Sequence, residues 1–211
     1  MKKLIIFDMD GTLVDSSLTL ARAINSVRKN LGLKSMDEKH ILSKVNEVNL
    51  NPAQYFYETK NFTAQHEEWF ASYYTQNHEK ELRLYEGVGE FLDELREKGY
   101  LLALATNAYR VSALQSLSYL KITEKFSAVA CHDDVAEGKP SPLMLYKILE
   151  ELDIKNSETI FIGDGERDEL ASKNANIDYI MVSWGFSEHE NNNKKTIVHN
   201  IKKLKEKILE L

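Results

Sequence analysis

Two rhythms run along this chain. Short unbroken apolar runs end abruptly in polar or turn residues, and longer stretches between them carry apolar residues at helical spacing. The run Leu4–Phe7 is rich in Ile and Phe and meets Asp8-Met9-Asp10-Gly11 at once, which predicts a buried parallel strand closed by a turn. From 17 to 31 the pattern turns helical, with Leu20, Ile24, Val27 and Leu31 on one face and Gly32 as the stop. A second helix is predicted over 37–48. Asn51-Pro52 breaks the chain and restarts it, and helices follow over 52–60 and 63–79. This region concentrates aromatic residues, among them Tyr55, Phe56, Tyr57, Trp69, Phe70 and Tyr74, and the pattern reads as the core of a small helical unit, with a few residues facing a substrate.

After Gly87 strands and helices alternate. Helices are predicted over 88–98, 109–120, 141–152 and 166–174, with Ser141 as N-cap and Pro142 at the first helical position of the third. Strands are predicted over 100–105, 127–131, 159–163 and 179–183. A polar loop at 188–195, with three consecutive Asn, precedes a last amphipathic helix over 196–211. Alternation of this kind implies a parallel sheet. The expected fold is therefore α/β, a Rossmann-like parallel-sheet core formed by 1–16 and 82–211, with a helical cap, 17–81, inserted after the first strand. The insert leaves close to Asp8 and Asp10, so it should hang over them as a lid, moving as a unit on its two crossings near Asp15-Ser16-Ser17 and Glu81-Leu82-Arg83.

Composition narrows the classes. With 211 residues and 43% hydrophobic side chains, the chain can bury a core of ordinary size. A net charge of −6 argues against a nucleic-acid surface. The single cysteine, Cys131, fits a reducing compartment and reads as a small buried residue rather than a nucleophile. No stretch approaches the roughly 20 apolar residues of a membrane span, so the expected address is the cytoplasm, with no membrane partner. Nothing in the pattern sets an oligomeric state.

Four predicted strands end in polar residues that suit one another: Asp8-Met9-Asp10, Thr106-Asn107, Gly138-Lys139-Pro140 and Gly163-Asp164-Gly165-Glu166-Arg167-Asp168. Ligands of open α/β sheets bind at the carboxyl ends of strands. Two carboxylates one residue apart repel unless a cation or proton lies between them, and a divalent oxygen-loving cation is the natural partner. Acids, a lysine, a small hydroxyl and amide donors together suit a metal and a phosphoryl group.

These motifs, in this order, resemble the haloacid dehalogenase-like hydrolase superfamily, and in particular its phosphatases with a helical cap. Val182-Ser183-Trp184-Gly185-Phe186 is similar to the phosphoglycolate phosphatase branch. The resemblance covers essentially the whole chain. It implies an Mg2+-dependent phosphatase of a small phosphorylated metabolite. Asp8 would be the nucleophile that forms an aspartyl-phosphate, and Asp10 the acid and base. The Asp8 carboxylate, the Asp10 backbone carbonyl and the Asp164 carboxylate would ligate Mg2+, with Asp168 supporting that set or joining it. The Thr106 hydroxyl and the Asn107 backbone amide would hold the phosphoryl oxygens, and Lys139 would pair with Asp8 and the phosphate.

The alternatives are a phosphomutase of the same superfamily and a non-catalytic regulatory relative. A dehalogenase is disfavoured because Asp10 is present, and a phosphonate-cleaving enzyme because none of Lys29, Lys34, Lys39 and Lys44 sits in a recognisable apolar pocket. His132 is expected in a loop near the site. His40, His66, His78, His189 and His199 read as surface or packing, Glu166 as exposed, and Lys202, Lys203, Lys205 and Lys207 as a solvated helix face.

Overall fold

A computed structural model of the chain describes residues 2–186 and 197–211. The predicted polar loop at 188–195, including His189, and the predicted helix start at Thr196 lie outside the described residues. The elements run β1 (Leu4–Phe7), β2 (Val14–Asp15), α1 (Ser17–Asn30), α2 (Glu38–Val45), α3 (Pro52–Tyr57), α4 (Ala64–Glu81), β3 (Arg83–Leu84) and α5 (Val88–Glu97). They continue as β4 (Leu101–Ala105), α6 (Arg110–Tyr119), β5 (Ala128–Ala130), α7 (Leu143–Leu152), β6 (Thr159–Gly163), α8 (Glu166–Ala175), β7 (Asp178–Val182), β8 (Ile197–Val198) and α9 (Ile201–Leu209).

Six strands form one parallel sheet in the order β5-β4-β1-β6-β7-β8. β1 is buried at every residue because both its faces are covered. Ile5 and Phe7 join one core with Phe91, Leu92 and Leu95 of α5, Leu117 of α6 and Leu204 and Ile208 of α9. Leu4 and Ile6 join the other core with Met144, Leu145 and Ile148 of α7 and Ala171 of α8. This two-sided burial is why the strand reads as a continuous apolar run rather than an alternating one. From β1 the chain builds outward through β4 and β5, then crosses to the other side for β6, β7 and β8. The order therefore reverses at β1, and that reversal opens a crevice at the carboxyl ends of β4, β1 and β6. Phe7 lies opposite Leu104 and Ile162, so the three strands end at the same level.

Helices α1 to α4 enclose a separate apolar cluster of Ala21, Ile24, Val27, Ile41, Phe56 and Tyr57, with Trp69 and Phe70 against it. The aromatic positions are mostly packing, as their spacing predicts. α4 also lies along α6: Tyr74 and Ser116 share a hydrogen bond of 3.0 Å, the Tyr109 hydroxyl donates to Glu67 at 2.9 Å, and the Tyr119 hydroxyl donates to the Glu79 carbonyl. His66 and His78 are buried among these rings and His40 is exposed.

Several details depart from the sequence pattern. The antiparallel pair β2–β3, in which Val14 faces Leu84 and Asp15 faces Arg83, joins the two crossings of the insert. Two-residue strands are too short to show alternation, so nothing in the pattern announced them. The last helix starts only at Ile201, with Asn200 accepting from the Lys203 amide, because Ile197 and Val198 pair with β7 instead. Pro142 is the N-cap of α7 rather than its first residue, and no side chain caps it. The Ser141 amide is engaged instead in a turn to the Gly138 carbonyl. α3 stops at Tyr57 because Glu58 turns left-handed, at φ 58°. No helix of the described residues is long and apolar enough to cross a membrane.

Leu92 has no exposed surface and sits in the core beneath β1 and β4. Replacing Leu92 with Ala should cost about 2–5 kcal/mol through lost burial and a residual cavity. Urea unfolding should show a lower midpoint with an unchanged slope.

Candidate active site

At the crevice the carboxyl ends of β1, β4 and β6 bring together what the sequence spreads over 160 residues. Asp8, Asp164 and Asp168 are buried and each offers a carboxylate oxygen within 4.8 Å of the others. Asp8 follows β1 directly, Asp164 follows β6, and Asp168 sits in the first turn of α8. There its carboxylate also accepts the Gly165 amide, at 3.2 Å. An acid in a first helical turn is favoured by the free amides and the dipole.

The Lys139 ammonium is wedged into this group. Its Nζ lies 2.5 Å from Asp8 Oδ1 and 2.6 Å from Asp168 Oδ1, and it donates to the Ala105 carbonyl at 2.9 Å. Burial alone would lower its pKa, but the two carboxylates outweigh that and hold it protonated, above the usual lysine range. The contact with Asp168 is additional to the expected pairing of Lys139 with Asp8 and the phosphate.

Among the described residues three carboxyl groups face one ammonium. Burial pushes the Asp8 carboxyl well up; Lys139 pulls against that, while Asp168 and Asp164 add to it. Burial also raises Asp164, to about 7, with Asp168 adding to the push and the Phe186 amide and Lys139 opposing it. Of the two Asp164 oxygens, Oδ2 accepts from the Phe186 amide at 2.7 Å and from the Asn46 side chain at 3.4 Å. Oδ1 is buried without a hydrogen-bond partner among the described residues. A buried carboxylate oxygen left bare beside two further acids costs free energy unless a cation meets it. Among the described residues the donor set is all oxygen, with no His or Cys in the group, which fits a hard divalent cation.

Asp10 stands apart from the three acids by its carboxylate, which accepts from the Ser16 hydroxyl at 2.5 Å. Burial raises its pKa, and the Ser16 bond partly offsets the rise. An acid whose pKa moves toward neutrality can both give and take a proton. Gly11 next to it adopts φ +84°, and a side chain there would run into the Asp164 carboxylate.

Thr106 is buried at the end of β4. Its Oγ1 accepts the Ala108 amide at 3.0 Å, which leaves the hydroxyl proton free to donate. Asn107 shows a second use beyond its backbone. Its side-chain amide donates to the Lys139 carbonyl at 3.1 Å, and its side-chain oxygen accepts the Lys139 amide at 2.8 Å. This two-bond clip fixes the backbone that carries the lysine. Glu166 is exposed and Cys131 is buried, its thiol pushed up to about 12 chiefly by burial, as the sequence reading expects.

The sequence reading missed Thr12, whose hydroxyl donates to Asp8 Oδ2 at 3.3 Å. It missed Asn46, at the end of α2, and the Arg167 guanidinium, which donates to the Glu47 carbonyl at 2.9 Å. Both place the insert against the acids. No local signal marks Asn46, since its partner is 118 residues away.

The profile of the haloacid dehalogenase-like hydrolases matches residues 5–182. The chain is 31% identical to a phosphoglycolate phosphatase of Vibrio vulnificus over 201 residues, covering 89% of this chain and 86% of that protein. A phosphoglycolate phosphatase of Colwellia psychrerythraea is also 31% identical, over 206 residues, with 92% and 89% covered. Among solved structures, a predicted phosphatase from Clostridium acetobutylicum superposes with a TM-score of 0.89 at 25% identity over the whole of both chains. A predicted phosphoglycolate phosphatase from Haemophilus somnus gives 0.83 at 27% identity, covering 99% of this chain and 98% of that one.

If the ammonium balances the buried acids, its removal should be costly. In the presence of a chelator, Lys139→Met should lose about 3–5 kcal/mol of stability in urea unfolding, the usual penalty for leaving a buried charge unpaired. Adding Asp8→Asn to that variant should restore part of the loss, because one of the two stranded charges is then gone.

Proposed function

The chain belongs to the haloacid dehalogenase-like hydrolase family, and from that premise we propose that it is an Mg2+-dependent phosphatase of a small phosphorylated metabolite, of the phosphoglycolate or sugar-phosphate type, acting through an aspartyl-phosphate on Asp8. One observation carries the reading. Three buried carboxylates lie within 4.8 Å of one another, one oxygen, Asp164 Oδ1, has no hydrogen-bond partner among the described residues, and one lysine bridges two of the acids. That is a site short of positive charge, suited to a cation and a phosphoryl group together.

In the proposed reaction a carboxylate oxygen of Asp8 attacks phosphorus, and the bond to the substrate's leaving oxygen breaks. Asp10 gives that oxygen its proton. Water then attacks phosphorus of the aspartyl-phosphate, Asp10 takes the water's proton, and inorganic phosphate leaves with Asp8 restored. The Thr106 hydroxyl and the Asn107 backbone amide hold the equatorial oxygens, and Lys139 offsets charge that builds on them. Asp8, the Asp10 carbonyl, Asp164 and Asp168 would hold Mg2+, which when bound supplies further positive charge at the phosphoryl oxygens.

Residues 17–81 act in this reading as a cap over the core of 1–16 and 82–211. The reach of Asn46 to Asp164 and of Arg167 to the Glu47 carbonyl supports a cap that covers the acids and excludes water.

Assays of phosphate release from a panel of phosphomonoesters, phosphoglycolate among them, test the proposal. No release from any of them would sink it. Asp8→Asn should lower turnover by at least about 10³-fold while keeping the wild-type circular dichroism, since an amide is no nucleophile toward phosphorus.

Metal removal gives a separate test. A chelator should abolish phosphate release and added Mg2+ should restore it, whereas Ca2+ should not, because its looser and larger coordination shell does not hold the octahedral arrangement. Undiminished activity after exhaustive chelation would exclude the metal.

A further inference from the structure

The stretch Trp184-Gly185-Phe186 follows β7, one strand removed from the crevice, and none of its side chains has a part in the reaction above. It nevertheless touches two of the strand ends that build the site. The Phe186 amide donates to Asp164 Oδ2 at 2.7 Å. The Trp184 indole donates to the Thr12 carbonyl at 3.0 Å, and its ring meets Tyr85 edge-on with centroids 6.4 Å apart. Thr12 in turn donates to Asp8 Oδ2. Between these two grips lies Gly185. A side chain there would collide with the Asp164 carboxylate and with the Gly11 carbonyl oxygen. A side chain at Gly11 would likewise come 2.8 Å from Asp164 Cγ. Two glycines thus make room for the Asp164 carboxylate.

We infer that Trp184-Gly185-Phe186 is a positioning strap, which selects the oxygen that Asp164 presents to the cation and ties the Asp8–Asp10 turn to it. Nothing in an aspartate makes the choice by itself, because its terminal torsion is broad and two-fold. The Phe186 amide makes it by occupying Oδ2, which leaves Oδ1 as the oxygen with no hydrogen-bond partner among the described residues. The indole bond to Thr12 keeps the turn that bears the nucleophile at a fixed distance from that carboxylate. The strap is anchored behind, where the Ser183 amide donates to the Val198 carbonyl at 3.0 Å. Outer hydrogen-bond partners of metal ligands act in this way, setting ligand orientation rather than touching the metal.

The inference rests on the metal-dependent phosphatase reading, and the test separates the two. Mg2+ affinity is measured by calorimetric titration of the wild type, Gly185→Ala and Trp184→Phe, with circular dichroism and melting as checks on the fold, and steady-state hydrolysis at saturating Mg2+. Gly185→Ala should bind Mg2+ about 10- to 100-fold more weakly. Trp184→Phe keeps the ring and loses only the N–H, so its Mg2+ affinity should stay within about threefold while kcat falls roughly 3- to 10-fold at little-changed KM, the range for one lost hydrogen bond. A folded Gly185→Ala that binds Mg2+ within about twofold of the wild type overturns the strap. So does a Trp184→Phe that melts earlier but turns over at the wild-type rate, and this second variant decides the matter if Gly185→Ala does not fold. A wild type that neither binds Mg2+ nor releases phosphate overturns the underlying reading instead.

Discussion

Lys139 lies between Asp8 and Asp168, some 5% exposed, and the folded chain depends on that placement. Three carboxylates cannot be buried together without compensation, and one ammonium supplies only part of it. The remaining imbalance shows in the raised carboxyls of Asp8 and Asp164 and in Asp164 Oδ1, which has no hydrogen-bond partner among the described residues. A site left under such tension is poorly designed for stability and well suited to a cation and a phosphorylated ligand.

The parallel sheet makes the tension tolerable. Its strands end at one level, so Asp8, the Ala105 carbonyl and Asp164 are delivered by rigid neighbours rather than by mobile loops. Lys139, which stands on a long loop, receives its own brace from Asn107, which holds both the amide and the carbonyl of the lysine's backbone. Farther out, Arg110 grips Asp134 through two nitrogens, at 2.7 and 2.5 Å, and the Val129 carbonyl at 2.7 Å. This ties the start of α6 to the loop that leads to Lys139. Each polar loop at the crevice is in this way secured to another.

The helical insert is attached at two kinds of place. Along its flank α4 is bonded to α6 at Tyr74, Glu67 and Glu79. At its tip Asn46 and the Glu47 carbonyl meet Asp164 and Arg167 over the acids.

Much of this was legible in the sequence. The apolar runs announced β1, β4 and β6, since strands buried on both faces carry no alternation to obscure them, and the polar residues at their ends marked Asp8, Thr106 and Asp164. Lys139 and Asp168 were legible through motif order. Two-residue strands were not, because β2, β3 and β8 exist only by pairing and have no pattern of their own. The bond of Lys139 to Asp168, the clip of Asn107, the reach of Asn46 and the grip of Trp184-Gly185-Phe186 on Asp164 were decided by tertiary structure alone. Each joins residues far apart in the chain, and whether an amide or ammonium finds a given carboxylate depends on the level at which strands end and the room a glycine leaves. A sequence records which groups are available; the sheet determines which of them meet.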